Sequence, residues 1–171
     1  VLVVAQVLRV AWGHAYSAQP DEADLWLARL RCLITDSSAA ENTDNLDQQI
    51  QLEGEADVLD AYIAAFYGDV LRLRTTAERA IASFDGSTER DSEQLSHLLL
   101  VKARQWSGDV PAARTYLRTL ENLPFSNEMV RESTLGALRA RQFRLEGHIH
   151  KALHTAERAL RWIEAVGLDP L

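Results

Sequence analysis

Thr76-Ala77-Glu78-Arg79-Ala80 recurs verbatim as Thr155-Ala156-Glu157-Arg158-Ala159, 79 residues further on. That distance holds two units of about 40 residues, a length typical of stacked helical repeats. The turns test the period. Gly68-Asp69, Gly108-Asp109 and Gly147-His148 each separate two helical patterns, and Ala18-Gln19-Pro20-Asp21 takes the same place near the start. Seven residues before turn residues 18, 68, 108 and 147 stand Ala11, Ala61, Val101 and Ala140. Five after stand Ala23, Leu73, Ala113 and Ala152; nine after, Leu27, Ala77, Leu117 and Ala156; twelve after, Leu30, Ala80, Leu120 and Ala159. All sixteen positions are Ala, Leu or Val, residue types that fill 60 of the 171 positions. Side chains of this kind at fixed offsets from a turn are where paired helices touch.

Each unit therefore reads as helix, tight turn and helix, with helices expected near 1–17, 21–34, 44–67, 69–83, 88–107, 110–121, 127–146 and 149–166. Thr88 with Asp91 three residues on, and Ser126 after Pro124, are expected N-caps. Gly167-Leu168-Asp169-Pro170 is the expected stop of the last helix. The polar stretch 36–45 reads as a longer loop between two units, and no alternating strand pattern of useful length occurs. The composition agrees, with 24 Ala and 25 Leu against 8 Gly and 4 Pro.

Charge narrows the partners. The chain carries −7 overall, so the phosphate backbone of a nucleic acid would be repelled at long range. Residues 21–60 hold 11 acids and 2 bases, whereas residues 131–171 hold 7 bases and 5 acids. Neither Lys102 nor Lys151 lies in a P-loop context, and no Gly-x-Ser-x-Gly, metal cluster or Gly-rich loop is present. The expectation is a protein that is not an enzyme, without a cofactor in this segment. Glu53, Glu55, Asp57 and Asp60 then read as a solvated acidic helix face. His148, His150 and His154 read as surface histidines, because on a helix His148 points well away from His150. A lone cysteine, Cys32, fits a cytoplasmic setting. The apolar run from Val1 to Trp12 is broken by Gln6 and Arg9 and falls short of the roughly 20 residues that span a bilayer, so no membrane contact is expected. Its apolar character suggests a segment of a longer protein, and a homodimer through that first helix is one expected consequence.

The turn glycine, the small residue seven before it and the Ala five after resemble the tetratricopeptide pattern, lengthened from its usual 34 residues. Ala11-Trp12, Asp21-Glu22-Ala23, Trp26-Leu27, Ala61-Tyr62-Ile63-Ala64, Gly68-Asp69-Val70 and Ala77-Glu78-Arg79-Ala80 are similar to the superhelical sensor domain of MalT-like transcription activators in the LuxR-type family. The resemblance implies an all-α fold: a right-handed α-α superhelix of about four tetratricopeptide-like pairs in one domain, at roughly 1–34, 44–84, 88–122 and 126–166. It also implies effector sensing and protein interaction within an ATP-dependent activator whose ATP and DNA sites lie outside these residues. A tetratricopeptide-like protein-interaction scaffold with no small-molecule effector is the alternative.

In such units the first helix of each pair lines a concave groove. Carried over by column, the resemblance places Trp12, Tyr16, Tyr62, Phe66, Lys102, Trp106, Arg141 and Arg144 there, to receive a small-molecule effector or a regulatory protein. Aromatic faces would stack on a ligand, and the cations would bind carboxylate or phosphate. The same spacing also suits rings packed into the core between helix pairs.

Overall fold

The computed structural model describes residues 2–38, 46–84, 90–122 and 131–165. Among them the chain forms eight α-helices and no strand: α1 (Leu2–Tyr16), α2 (Pro20–Ser38), α3 (Leu46–Tyr67), α4 (Val70–Ser83), α5 (Arg90–Trp106), α6 (Val110–Glu121), α7 (Gly136–Leu145) and α8 (Ile149–Ala165). A single π-helical turn, Arg131–Leu135, leads into α7. The expected caps at Thr88 and Ser126, the stop at 167–170 and most of the 36–45 loop lie outside the described residues.

One turn geometry occurs four times. Ala18, Gly68, Gly108 and Gly147 have φ of 54°, 69°, 80° and 79°, the left-handed region that glycine enters without penalty. The N–H of the following residue reaches back five positions: Gln19 to His14 O, Asp69 to Ala64 O and Asp109 to Arg104 O at 3.0 Å, and His148 to Phe143 O at 2.8 Å. This bond satisfies a carbonyl that the ending helix leaves open. The same residue's carbonyl accepts the first bond of the next helix, from Ala23, Leu73, Ala113 and Ala152 respectively. The Asp69 and Asp109 side chains add N-caps, accepting from Arg72 N–H at 3.0 Å and Ala112 N–H at 3.2 Å. Pro20 and Pro111 sit in first turns, where a missing N–H costs nothing.

The helices pack as two compact units, residues 1–99 and 100–171. In the first, α1, α2 and α3 share a core of Val4, Val7, Ala11, Ala15, Ala23, Leu27, Leu30, Ile34, Ala56, Leu59 and Ile63. On α4 the buried residues Leu73, Thr76, Ala77 and Ala80 follow the helical period, and on α6 of the second unit Ala113, Leu117 and Leu120 do the same. Two helical glycines mark close crossings. A Cβ at Gly54 would lie 3.0 Å from Phe84 Cζ and Ser83 Cβ, and one at Gly136 would lie 2.8 Å from Ala159 Cβ.

The repeat columns carry this packing unevenly. All twelve positions of the first three pairs are buried, whereas in the fourth pair only Ala159 is, with Ala140, Ala152 and Ala156 half-buried.

The acidic stretch of α3 departs from the expected solvated face. Asp60 is 4% exposed and Asp57 is largely covered. They belong to a chain of ion pairs through α2, α3 and α4. Asp24 meets Arg72 at 2.6 Å, and Arg72 and Arg31 each meet Asp60 at 2.5 Å. Arg31 also meets Asp57 at 2.9 Å, and Asp57 meets Arg79 at 2.5 Å. Bringing α2 and α4 against α3 places three arginines over its carboxylates, which no helical wheel of α3 alone contains. Glu55 accepts from Ser92 Oγ, and only Glu53 of the four acids is well exposed.

Candidate functional site

The expected groove residues fall into two clusters, one in each unit. In the first unit α1 and α3 bring Trp12, Tyr16, Tyr62 and Phe66 together. Trp12 and Tyr16 stack at 5.2 Å between centroids, and Trp12 meets Tyr62 edge-on at 5.5 Å. Tyr62 is also 5.7 Å from Tyr16 and 5.4 Å from Phe66, both edge-on. Edge-to-face contacts of this kind add about 0.5–1.5 kcal/mol each beyond area burial. The aromatic stripe is divided between core and surface. Trp12 and Tyr62 pack against the core, while Tyr16 is 67% exposed and Phe66 is also exposed. Partial desolvation within the ring cluster, aided by Tyr62 and Glu55, raises the Tyr16 hydroxyl above its ordinary pKa although most of the residue is exposed, and burial alone raises Tyr62. Both phenols therefore stay neutral donors at physiological pH.

In the second unit α5 and α7 bring Lys102, Trp106, Arg141 and Arg144 together. Lys102 Nζ lies over the Trp106 ring at 4.7 Å from its centroid, and Arg141 Cζ at 5.6 Å. The ring that was expected to stack on a ligand thus already carries two cations, and its negative face offsets part of their mutual repulsion. Burial and this repulsion act in the same direction on both cations. Burial lowers the Lys102 pKa and Arg141 lowers it further; burial also lowers Arg141, followed by Arg144. Among the described residues no carboxylate pairs with any of these three cations, and Arg141 Nε is buried without a hydrogen-bond partner.

The three cations line a groove of about 630 Å³ whose other walls are Thr134, Ala137, Leu138, Ala140, Ile149, Ala152, Leu153 and Ala156. Ile149 and Leu153, at 59% and 58% exposed, form its apolar rim. A concave, mostly apolar site with a few converging charges is the usual form of a ligand site. Helix α8, which supplies the rim, was not singled out among the expected site residues. Its Ile149-x-x-x-Leu153 spacing was legible, but in isolation it reads as ordinary core face.

A second hollow of the same unit shows what paired charges look like. It measures about 420 Å³ and includes Arg114, Arg118, Glu121, Arg139, Glu146 and Lys151. There Arg114 meets Glu146 at 2.7 Å and Arg139 meets Glu121 at 2.6 Å. Burial would push the Glu146 carboxyl up, but hydrogen bonds from Gln142 and Arg114 outweigh it and hold the group below its ordinary value. The buried Gln105 and Gln142 tie α5 and α6 to α7: Gln105 Nε2 donates from α5 to Leu138 O at 2.9 Å, and Gln142 Nε2 from α7 to Val110 O of α6 at 3.0 Å. Gln105, three residues before its turn, fills a groove column in the resemblance yet is buried. Ala15 of the same column, and Val58 and Leu98 ten before their turns, are buried too.

His148, His150 and His154 are all exposed, and among the described residues no group of three or more His, Cys, Asp or Glu could hold a metal ion. No described helix is long and apolar enough to cross a membrane. Comparison of the chain with protein-family models, with curated proteins and with solved structures finds no match.

Proposed function

We propose that this chain is a non-catalytic effector-sensing and protein-interaction domain of an ATP-dependent transcription activator of the MalT-like, LuxR-type kind. The observation that supports binding is the set Lys102, Arg141 and Arg144, three cations without a carboxylate on the wall of an apolar groove. Lys102 and Arg141 are half-buried and Arg144 beside them is exposed; keeping these like charges together costs stability, and an anionic occupant returns the loss as affinity. In this reading the helix pairs continue as a superhelix, and occupancy of the groove biases it between two curvatures. An effector can do so only through different affinity for the two states. ATP and DNA would be handled elsewhere in the same cytoplasmic protein.

The coding sequence on both sides of the chain tests the regulator assignment. A P-loop module on one side and a helix-turn-helix on the other are the expected result; absence of both overturns it. Calorimetry tests sensing. A small effector saturates at one site per chain, and Arg141→Ala with Arg144→Ala weakens it at least tenfold, whereas a scaffold takes up protein segments and ignores metabolites.

A further inference from the structure

We infer that the 420 Å³ hollow lined by α6, α7 and α8 is a binding site for a small organic phosphate monoester, held by Arg114, Arg118, Arg139 and Lys151. The repeat columns show what this hollow lacks. Where the first pair meets the second, Asp24, Arg31, Asp60 and Arg72 join in one chain of ion pairs, each contact within 2.6 Å. Asp24 and Arg31 stand six and thirteen after turn residue 18; Asp60 and Arg72 stand eight before and four after turn residue 68. The same offsets from turn residues 108 and 147 give Arg114, Glu121, Arg139 and Lys151. Both aspartate positions thus hold arginine, and the position of Arg72 keeps a cation. A neutral set in the first unit has a counterpart with two surplus positive charges in the second. The whole hollow has the same surplus, four Arg and Lys side chains against Glu121 and Glu146. Further chain beyond α8 is not what balances it. Both acids that Arg72 meets lie on α2 and α3, and their counterparts α6 and α7 already line the hollow.

The donors for an oxyanion are present. Arg114 Nε donates to Glu146 at 2.7 Å and Arg139 Nε to Glu121 at 2.6 Å. Among the described residues neither guanidinium makes a further hydrogen bond, so the Nη ends of both remain to donate to a ligand. Arg118 and Lys151 enter no ion pair among the described residues. A hollow between α2 and α4 gives the contrast, since both of its arginines, Arg31 and Arg79, already close on Asp57. A phosphate monoester carries about −1.5 to −2 charges at neutral pH and so matches the surplus, of which a single carboxylate would cancel half. Leu117 and Phe143 supply apolar wall for the organic part, with Lys151 Nζ 6.0 Å from the centroid of the Phe143 ring. The volume lies in the range of about 300–1,000 Å³ usual for small-molecule sites, which favours a small ligand over a protein segment.

Calorimetry of the full chain with phenyl phosphate, benzoate and inorganic phosphate tests this. Phenyl phosphate is expected to bind at one site per chain, at least tenfold tighter than either of the others, and to weaken as salt rises. Lys151→Glu supplies a carboxylate beside the two arginines. It is expected to raise Tm while weakening phenyl phosphate at least tenfold, a pair of effects that loss of the fold cannot produce. Arg118→Ala is expected to weaken it at least threefold. Equal affinity for benzoate or inorganic phosphate overturns the proposal, as does a Lys151→Glu variant that binds as well as the parent. Binding that Lys151→Glu leaves intact and Arg141→Ala removes places the anion in the other groove and overturns it too. A tyrosine-phosphorylated peptide that binds tenfold tighter than phenyl phosphate assigns the hollow to a partner protein and overturns the small ligand.

Discussion

Asp60 Oδ1 accepts from Arg72 Nε at 2.5 Å while its other oxygen accepts from Arg31 at the same distance, so one almost fully covered carboxylate joins α2, α3 and α4. Asp60→Ala leaves both arginines short of a partner, although Arg72 keeps Asp24 and Arg31 keeps Asp57. The expected loss is about 2–3 kcal/mol in urea unfolding. Arg79→Ala, which removes a more exposed cation from Asp57, is expected to cost less than about 1 kcal/mol. Equal effects would mean that burial does not set the strength of these pairs.

Ala18 is the one residue of the four in the left-handed region that carries a side chain. A Cβ in the left-handed region costs roughly 1–2 kcal/mol, against less than about 1 kcal/mol for the extra freedom of glycine in the unfolded chain. Ala18→Gly is therefore expected to raise Tm, and Gly108→Ala to lower it. A fall in Tm for Ala18→Gly would show that the turn is held by its flanking contacts instead.

Gly136 and Ala159 form a steric pair across α7 and α8. On an exposed helix Gly→Ala stabilises by about 1 kcal/mol, but here the new methyl meets another at 2.8 Å. Overpacking is expected to win, so that Gly136→Ala costs about 1–3 kcal/mol. Adding Ala159→Gly should restore most of it, and additive losses in the double variant would rule the contact out as the cause.

Tyr67 donates to Asp21 Oδ1 at 2.5 Å, and this hydrogen bond pushes its pKa up to about 12. The bond needs the protonated phenol. Its contribution is complete below the ordinary value near 10 and is lost as pH rises through about 12. An ultraviolet difference titration should show a phenolate step near that value that disappears in Tyr67→Phe and moves down in Asp21→Asn. A step unchanged in Asp21→Asn would place its cause elsewhere.

Much of the candidate site could be read along the chain because the repeat sets identical columns side by side. The column six before each turn holds Trp12, Tyr62, Lys102 and Arg141. In the structure Trp12 touches Tyr62, and Lys102 and Arg141 share the Trp106 ring. What the columns could not supply was the state of each side chain. Asp57 and Asp60 look solvated on α3, Trp106 looks free to stack, and Gln105 looks accessible until neighbouring elements are placed.

The sequence alone thus determined the period, the four turns and the helix pairs, because φ preference, capping and apolar spacing act over a few residues. Only the tertiary structure decided which columns are sealed, which charges are paired and which helix face is left open. Those depend on burial and on Coulomb terms between residues tens of positions apart, such as Asp24 with Arg72 or Lys102 with Arg141.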